Sequence, residues 1–328
     1  MRDKAVSPRR RLALKAAAAG VAGLWGPAAL AQNSGPVTLI VPTSAGGGMD
    51  TLARAVAAKL ADKWGRPVVV ENRTGAGSII GTEAAVRAKP DGNTLFMGTT
   101  NTTYMAALFP KIKFDPAKDL VPITMIASVP VAIAIHPSLK VDTLQEFIAY
   151  CKANPGKVNY GSSGVGAILH MSGEYFKSVA GVDITHVPYK GGNEAIAALI
   201  GGQLQMVATT AFSLSGPAKT GRVKLLAVTG ARRMSQLPDV PTFAEAGLPG
   251  FDVRIWYGLM APAGLPRASI QSIHADVVAA ASAADVRPRL EGQGMEIDLL
   301  GPAEFDRYFK AEAARYSKVI KERNIVAD

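Results

Sequence analysis

The chain has 328 residues, 48% of them hydrophobic and 19% charged. That is enough apolar material for a sizeable core, fits either two domains or one large α/β domain, and excludes a disordered protein. The formal charge of +10 raises the question of a nucleic-acid partner, but residues 1–31 hold six of the 36 Lys/Arg and one of the 26 Asp/Glu, leaving 30 basic against 25 acidic residues. These are scattered, without a dense basic block or interleaved aromatics, so no nucleic-acid footprint is expected and a mild positive field suits small anions.

In chain order, a basic start containing RRRLALK leads into AAAAGVAGLWGPAALA and the small-x-small triplet Ala29-Leu30-Ala31. This reads as an export signal over residues 1–31, cleaved before Gln32, with a soluble mature protein to follow. The apolar stretch is too short and too weakly hydrophobic for a permanent anchor. Arg10-Arg11 followed by Leu14-Lys15 fits a twin-arginine signal as well as an ordinary secretory one. Both export routes stay open.

Apolar runs then alternate with amphipathic stretches: VTLIV with DTLARAVAAKLADKW, VVVEN with GTEAAVRAK, and TLFMG with a polar turn. This strand-helix rhythm predicts an α/β protein with a largely parallel sheet. Leu52, Val56, Leu60 and Trp64 share one helix face, and Gly65-Arg66-Pro67 ends that helix. A second set of units runs from VPVAIAIHPS to KLLAVTG, and the C-terminal part adds a strand and two helical stretches. Cys151, the single cysteine, falls at helical spacing with Leu144, Phe147 and Ile148 and reads as a core thiol. One cysteine and four histidines without a close pair in sequence argue against a disulfide framework and a metal site, and no cofactor is expected.

Three turns share a design in which a strand ends in small residues and a helix follows: PTSAGGGMD, RTGAGSIIG and YGSSGVGAILH. First-turn N–H groups and the positive end of the helix dipole form an anion site, and glycine lets a ligand reach the backbone. The alternative is that the glycines only permit tight turns. Asp50 and Arg54, four apart, can pair at the helix start, a structural role for Asp50 that leaves a ligand contact open. A nucleotide enzyme fits poorly, because the strand after GAGSIIG ends in Gly98-Thr99-Thr100-Asn101 without the acidic residue a dinucleotide ribose needs, and no Walker motif occurs. A serine hydrolase built on Ser162 or Ser163 with His170 also fits poorly, since GSSGVG is not G-x-S-x-G and His170 is expected about two turns into a helix beginning near Ser163.

Taken in order, IVPTSAGGGMDTLAR, VVVENRTGAGSIIGTEAAVRAKPDGNTL, NYGSSGVGAILHMSGEYF, HVPYKGGNEAIAALIGGQLQM, LLAVTGARRMSQLPDVPTFAEAGLPGF and WYGLMAPAGLP resemble the Bug-type extracytoplasmic receptors of tripartite tricarboxylate transporters over essentially the whole mature chain. The resemblance implies a two-lobed, type II-like periplasmic binding fold of the Venus flytrap kind, each lobe a mostly parallel sheet flanked by helices. Lobe one would comprise residues 33–127 and 229–328, and lobe two residues 128–228. It further implies a periplasmic, monomeric, non-enzymatic receptor that holds a small organic carboxylate in the cleft and delivers it to membrane permease subunits.

Carried over by position, the ligand would meet Ser44, Ala45, Gly46, Gly47 and Gly48, with Asp50 nearby, and Ser162, Ser163, Gly164, Val165 and Gly166 from the opposite side. Gly77 and Ser78, then Thr99, Thr100 and Asn101, then Tyr189, Gly191 and Gly192, and finally Thr209 and Thr210 complete the expected lining. Where many relatives read G-Q-x-D, this chain has Gly202-Gln203-Leu204-Gln205. A neutral Gln205, with Thr209 and Thr210, points away from amine-bearing ligands and toward a simple carboxylate or dicarboxylate.

Overall fold

The computed structural model describes residues 35–327; the expected export segment at 1–31 lies outside them. The first unit is strand β1 (Val37–Val41), helix α1 (Gly48–Trp64) and strand β2 (Val68–Asn72). Leu52, Val56 and Leu60 are buried on the expected face, and Gly65 closes α1 in the left-handed region at φ 62°. Helix α2 (Ile79–Val86) leads to strand β3 (Thr94–Thr99). The expected polar turn after β3 is instead the start of helix α3 (Thr100–Leu108), closed by a capping box between Thr99 and Thr102. Threonines score poorly as helix interior residues, yet at a helix start their hydroxyls bond the orphan amides.

A one-turn helix α4 (Pro116–Asp119) precedes strand β4 (Leu120–Ile135), whose 16 residues are almost all buried. Two prolines obscure it in the sequence. Register shifts follow Pro122 and Met125, and the first is how the strand accommodates a proline that donates no ladder bond. Helix α5 (Leu144–Ala153) buries Leu144, Phe147, Ile148 and Cys151 as expected, and burial pushes the Cys151 thiol up to about 12. Strand β5 (Asn159–Ser162), helix α6 (Ile168–Ala180), strand β6 (Thr185–Pro188), helix α7 (Gly192–Ile200), strand β7 (Met206–Thr210), helix α8 (Ala211–Lys219) and strand β8 (Lys224–Val228) follow. Because α6 starts at Ile168 rather than near Ser163, His170 sits in its first turn, not its second. Three glycine positions ahead of Ile168, two of them left-handed or unusual in φ, keep the backbone from becoming helical sooner.

The last segment is strand β9 (Arg254–Pro262), helix α9 (Arg267–Ser282), the short helix α10 (Arg287–Glu291), strand β10 (Glu296–Leu300) and helix α11 (Pro302–Glu322). The sheet order is β2-β1-β3-β9-β4-β7-β5-β6, with β8 and β10 also paired to β4. Outer strands are parallel, as crossover units require, whereas β4 and β9 run antiparallel to their neighbours. Strand β4 changes partners along its length: Leu120 to Pro130 pair with β9, and Val131 to Ile135 pair with β7. One strand thus belongs to two sheet halves. Tyr104 and Leu108 of α3, Met171 of α6 and Tyr316, Val319 and Ile320 of α11 form a buried cluster, so α11 ties the halves together from the outside. Among the described residues no helix is long and apolar enough to cross a membrane.

Candidate ligand-binding site

The carboxyl ends of β1, β3, β5 and β7 lead into one cavity of about 580 Å³, where crossover folds leave room for ligands. Its wall includes Ser44, Ala45, Gly47, Gly48, Ser78, Thr99, Asn101, Ser163, Gly192 and Thr210, all expected from the sequence, drawn from both sheet halves. An adjoining cavity of about 180 Å³ takes in Gly77, Val165 and Gly166 and shares Asn101 and Ser163. None of the residues lining the larger cavity is Asp, Glu, Lys, Arg or His. An anion there would be held by dipoles and hydrogen bonds.

The donors follow from the helix starts. The Thr51 N–H makes the first bond of the α1 ladder, to Gly47 O at 2.9 Å, so the N–H groups of Gly48, Met49 and Asp50 precede it. Gly46 is different. Its N–H donates to Asp50 Oδ2 at 2.9 Å, and its φ of 84° makes it the left-handed residue of the turn. Asp50 also accepts from Arg54 Nε at 2.9 Å and Asn72 Nδ2 at 2.9 Å. The Arg54 bond above all, then Gly46 and Asn72, hold this carboxyl down to about 2 against the opposing effect of burial. Its oxygens serve the turn, and the residue is not among those lining the cavity.

Across the cleft, the Gly164 N–H donates to Ser162 Oγ at 3.1 Å and the Gly166 N–H to His170 Nδ1 at 3.0 Å. Ser162 is fully buried behind the loop, and its hydroxyl meets His186 Nε2 at 2.6 Å rather than His170. The two histidines that look remote in sequence stack with ring centroids 3.9 Å apart, although no group of three His, Cys, Asp or Glu placed to hold a metal exists among the described residues. Thr100 bridges to β9, accepting the Trp256 N–H at 3.1 Å and donating to Arg254 O at 3.0 Å. Tyr189, Gly191 and Thr209 are not among the residues lining the larger cavity.

Gln205 needs a correction. Its Oε1 accepts the Asn159 N–H at 2.9 Å, at the end of β5 and β7 away from Ser162 and Thr210, so it cannot select against an amine. The expectation comes from the G-Q-x-D pattern of the resemblance; β7 starts just after Gln205 and reaches the cavity at its other end, at Thr210. The sequence reading also missed Thr43, Met49, Ile168, Leu169, Ile255 and Tyr257, which supply the apolar part of the wall. Tyr257 lies within the WYGLMAPAGLP signature, and its hydroxyl sits 3.6 Å from where a Cβ on Gly48 would be. Burial pushes that phenol up to about 12, so it remains a protonated donor.

Residues 52–325 match the model of the tripartite tricarboxylate transporter family receptor. The chain belongs to this receptor family. The family assignment agrees with BugT of Bordetella pertussis, 33% identical over 88% of this chain and 89% of that protein. Two solved structures from Rhodopseudomonas palustris are similar throughout. MatC with bound malate is 32% identical at a TM-score of 0.73, covering 88% of this chain and all of its own. An adipate-bound protein is 33% identical at a TM-score of 0.73, covering 90% of this chain and 99% of its own. The receptor therefore has the α/β periplasmic binding-protein fold, with a mixed sheet and flanking helices.

Proposed function

We propose that this receptor captures a small organic carboxylate in the periplasm, between two lobes, and delivers it to the permease subunits of a tripartite transporter. The observation that carries the reading is the pair of helix-start segments, 44–48 and 163–169, which supply residues to one cavity without charged side chains from opposite sheet halves. Open amides at α1 complement a carboxylate without a cationic side chain, and the apolar wall of Ile168, Leu169 and Ile255 accommodates a carbon skeleton. Malate and adipate in the two R. palustris relatives support the same ligand class. Residues 33–127 with 229–328 form lobe one and residues 128–228 lobe two; the change of partners along β4 between Pro130 and Val131 supports this division. The receptor acts as an exported monomer without a cofactor or catalytic step.

A thermal-shift panel of mono-, di- and tricarboxylates and aromatic acids on the mature protein tests the proposal. Stabilisation by at least one carboxylate, saturable and confirmed by calorimetry, is the expected result. No shift across the panel, together with turnover of an ester or a nucleotide, would replace the receptor with an exported enzyme that uses the glycine-rich turns as an anion site.

A further inference from the structure

Beneath the 162–166 loop lies a polar cluster whose parts come from three elements. His170 in the first turn of α6 and His186 on β6 stack at 3.9 Å with 22° between their planes. Each holds one end of the loop: Gly166 N–H donates to His170 Nδ1, and Ser162 Oγ, which accepts the Gly164 N–H, meets His186 Nε2. With both of these amides engaged below, Ser163 and Val165 are the loop residues that face open space, Ser163 lining the larger cavity and Val165 the adjoining one. The loop needs this fastening. Gly164 and Gly166 have φ of 112° and 75°, and a chain of such residues has little stiffness of its own.

Acceptance at Nδ1 places the His170 proton on Nε2, which faces Glu174 Oε1 at 4.0 Å. That carboxylate is already engaged by the Tyr160 hydroxyl at 2.6 Å and by Lys177 Nζ at 3.1 Å. From α3, the Tyr104 hydroxyl adds a bond to Gly166 O at 3.3 Å, and Arg323 beyond α11 acts on Tyr160 by its charge. A second proton on His170 would set two donors against each other at a buried amide, with another imidazole stacked on the ring. Burial and the Lys177 charge oppose that proton, while Glu174 favours it, and the balance keeps His170 below its ordinary range.

We propose that His170 is the positioning residue of the 162–166 loop: its neutral ring accepts the Gly166 N–H and thereby aims Ser163 and Val165 at the ligand, so carboxylate affinity follows the protonation of His170. This rests on the receptor reading for the ligand, though not for the loop. His186 supports the ring by stacking and anchors Ser162 from the neighbouring strand.

Two variants and two readouts test it. His170→Gln keeps an acceptor but cannot titrate, and His170→Leu keeps bulk without an acceptor. In the ligand-free protein, amide hydrogen exchange at Gly166 is compared with its exchange-competent intrinsic rate from about pH 7.5 to about pH 5, across the range where a histidine changes charge. Protection falling with pH in the wild type, holding in His170→Gln and absent in His170→Leu is expected. Calorimetry with the tightest carboxylate of the panel should show His170→Leu about tenfold weaker at neutral pH, and wild-type affinity falling about tenfold more than that of His170→Gln toward acid. The Gln variant also corrects for protonation of the ligand itself. Equal pH slopes in wild type and His170→Gln, or wild-type affinity in His170→Leu, would overturn the proposal. If no carboxylate binds the wild type, the receptor reading fails, and Gly166 protection alone decides the loop: protection independent of pH and of the residue at 170 overturns it.

Discussion

At Gly47 a role in binding and a role in folding predict different outcomes of one substitution. Its φ of −75° and ψ of 169° are open to any residue, and an added Cβ would meet only Ser44 O at an ordinary 3.6 Å. Gly47→Ala should therefore keep or slightly raise the melting temperature, because it removes freedom from the unfolded chain at no native strain. It should at the same time lower ligand affinity about tenfold or more by placing a methyl group in front of the α1 amides. Paired thermal-melt and calorimetric measurements check this, and unchanged affinity would assign the glycine to the turn alone. Gly48→Ala is a less clean probe, since its Cβ would come within 3.2 Å of Met295 Cε. At Asp50 the expectation reverses. With a side chain 4% exposed and three partners, Asp50→Ala should cost ~2 kcal/mol of stability or more in chemical denaturation, by freeing Gly46, Arg54 and Asn72 together. The Asp50–Arg54 pair was legible because four residues is one helical turn. The partnership with Asn72 was not, because it joins the start of α1 to the end of β2 through the fold.

Elements that carry a repeating pattern were legible, and elements that depend on their neighbours were not. The α1 stripe of Leu52, Val56 and Leu60 and the α5 stripe ending in Cys151 each announce a buried face by spacing alone. Helix α3 opens with threonines and β4 contains two prolines, so local preference contradicts what tertiary packing imposes. The cleft loops were found because strand-to-helix glycine turns have a compositional signature; Ile168, Leu169 and Tyr257 line the same cavity as apolar and aromatic residues whose type does not tell a cavity wall from a core. Close contact between elements also explains a glycine the sequence does not explain. In α6, a Cβ on Gly173 would lie 2.2 Å from the ring of Tyr160, which is fully buried and held by Glu174. Gly173→Ala should destabilise the protein by ~1–3 kcal/mol despite its better helix propensity, measured by urea unfolding. The same packing sets a pH dependence. Burial first, then the charge on His170, lowers His186 from 6.5 to about 4, so the unfolded chain takes up this proton before the folded one does. The stability it contributes is complete above the unfolded value and is lost as pH falls through that window. Urea midpoints of wild type and His186→Gln across the window should converge toward acid.

For the molecule as a whole, the sheet is continuous but its mechanics need not be. Strand β4 passes from one half to the other at Pro130 and Val131, where Pro130 pairs with Arg254 at the very start of β9 and the Val131 N–H reaches Thr229 Oγ1 at 2.9 Å just after β8. Among the described residues, the passage of β4, the start of β9 and the end of β8 thus meet within a short span, beside a proline that donates no ladder bond. Helix α11 bridges the halves through side-chain packing at Tyr316, Val319 and Ile320 rather than through hydrogen-bonded backbone. Such a region can bend by adjusting a few dihedrals, whereas the parallel sheets on either side cannot. A ligand that touches the 44–48 segment from one half and the 163–169 segment from the other stabilises their approach by the difference between its contacts in the closed and open arrangements. Small-angle scattering should therefore give a smaller radius of gyration for the saturated receptor than for the empty one. Gly47→Ala at the same ligand concentration should remain at the empty value until its weaker affinity is overcome by added ligand. An identical radius for empty and saturated wild type, with binding shown independently by calorimetry, would leave capture to a preformed cleft and remove the hinge.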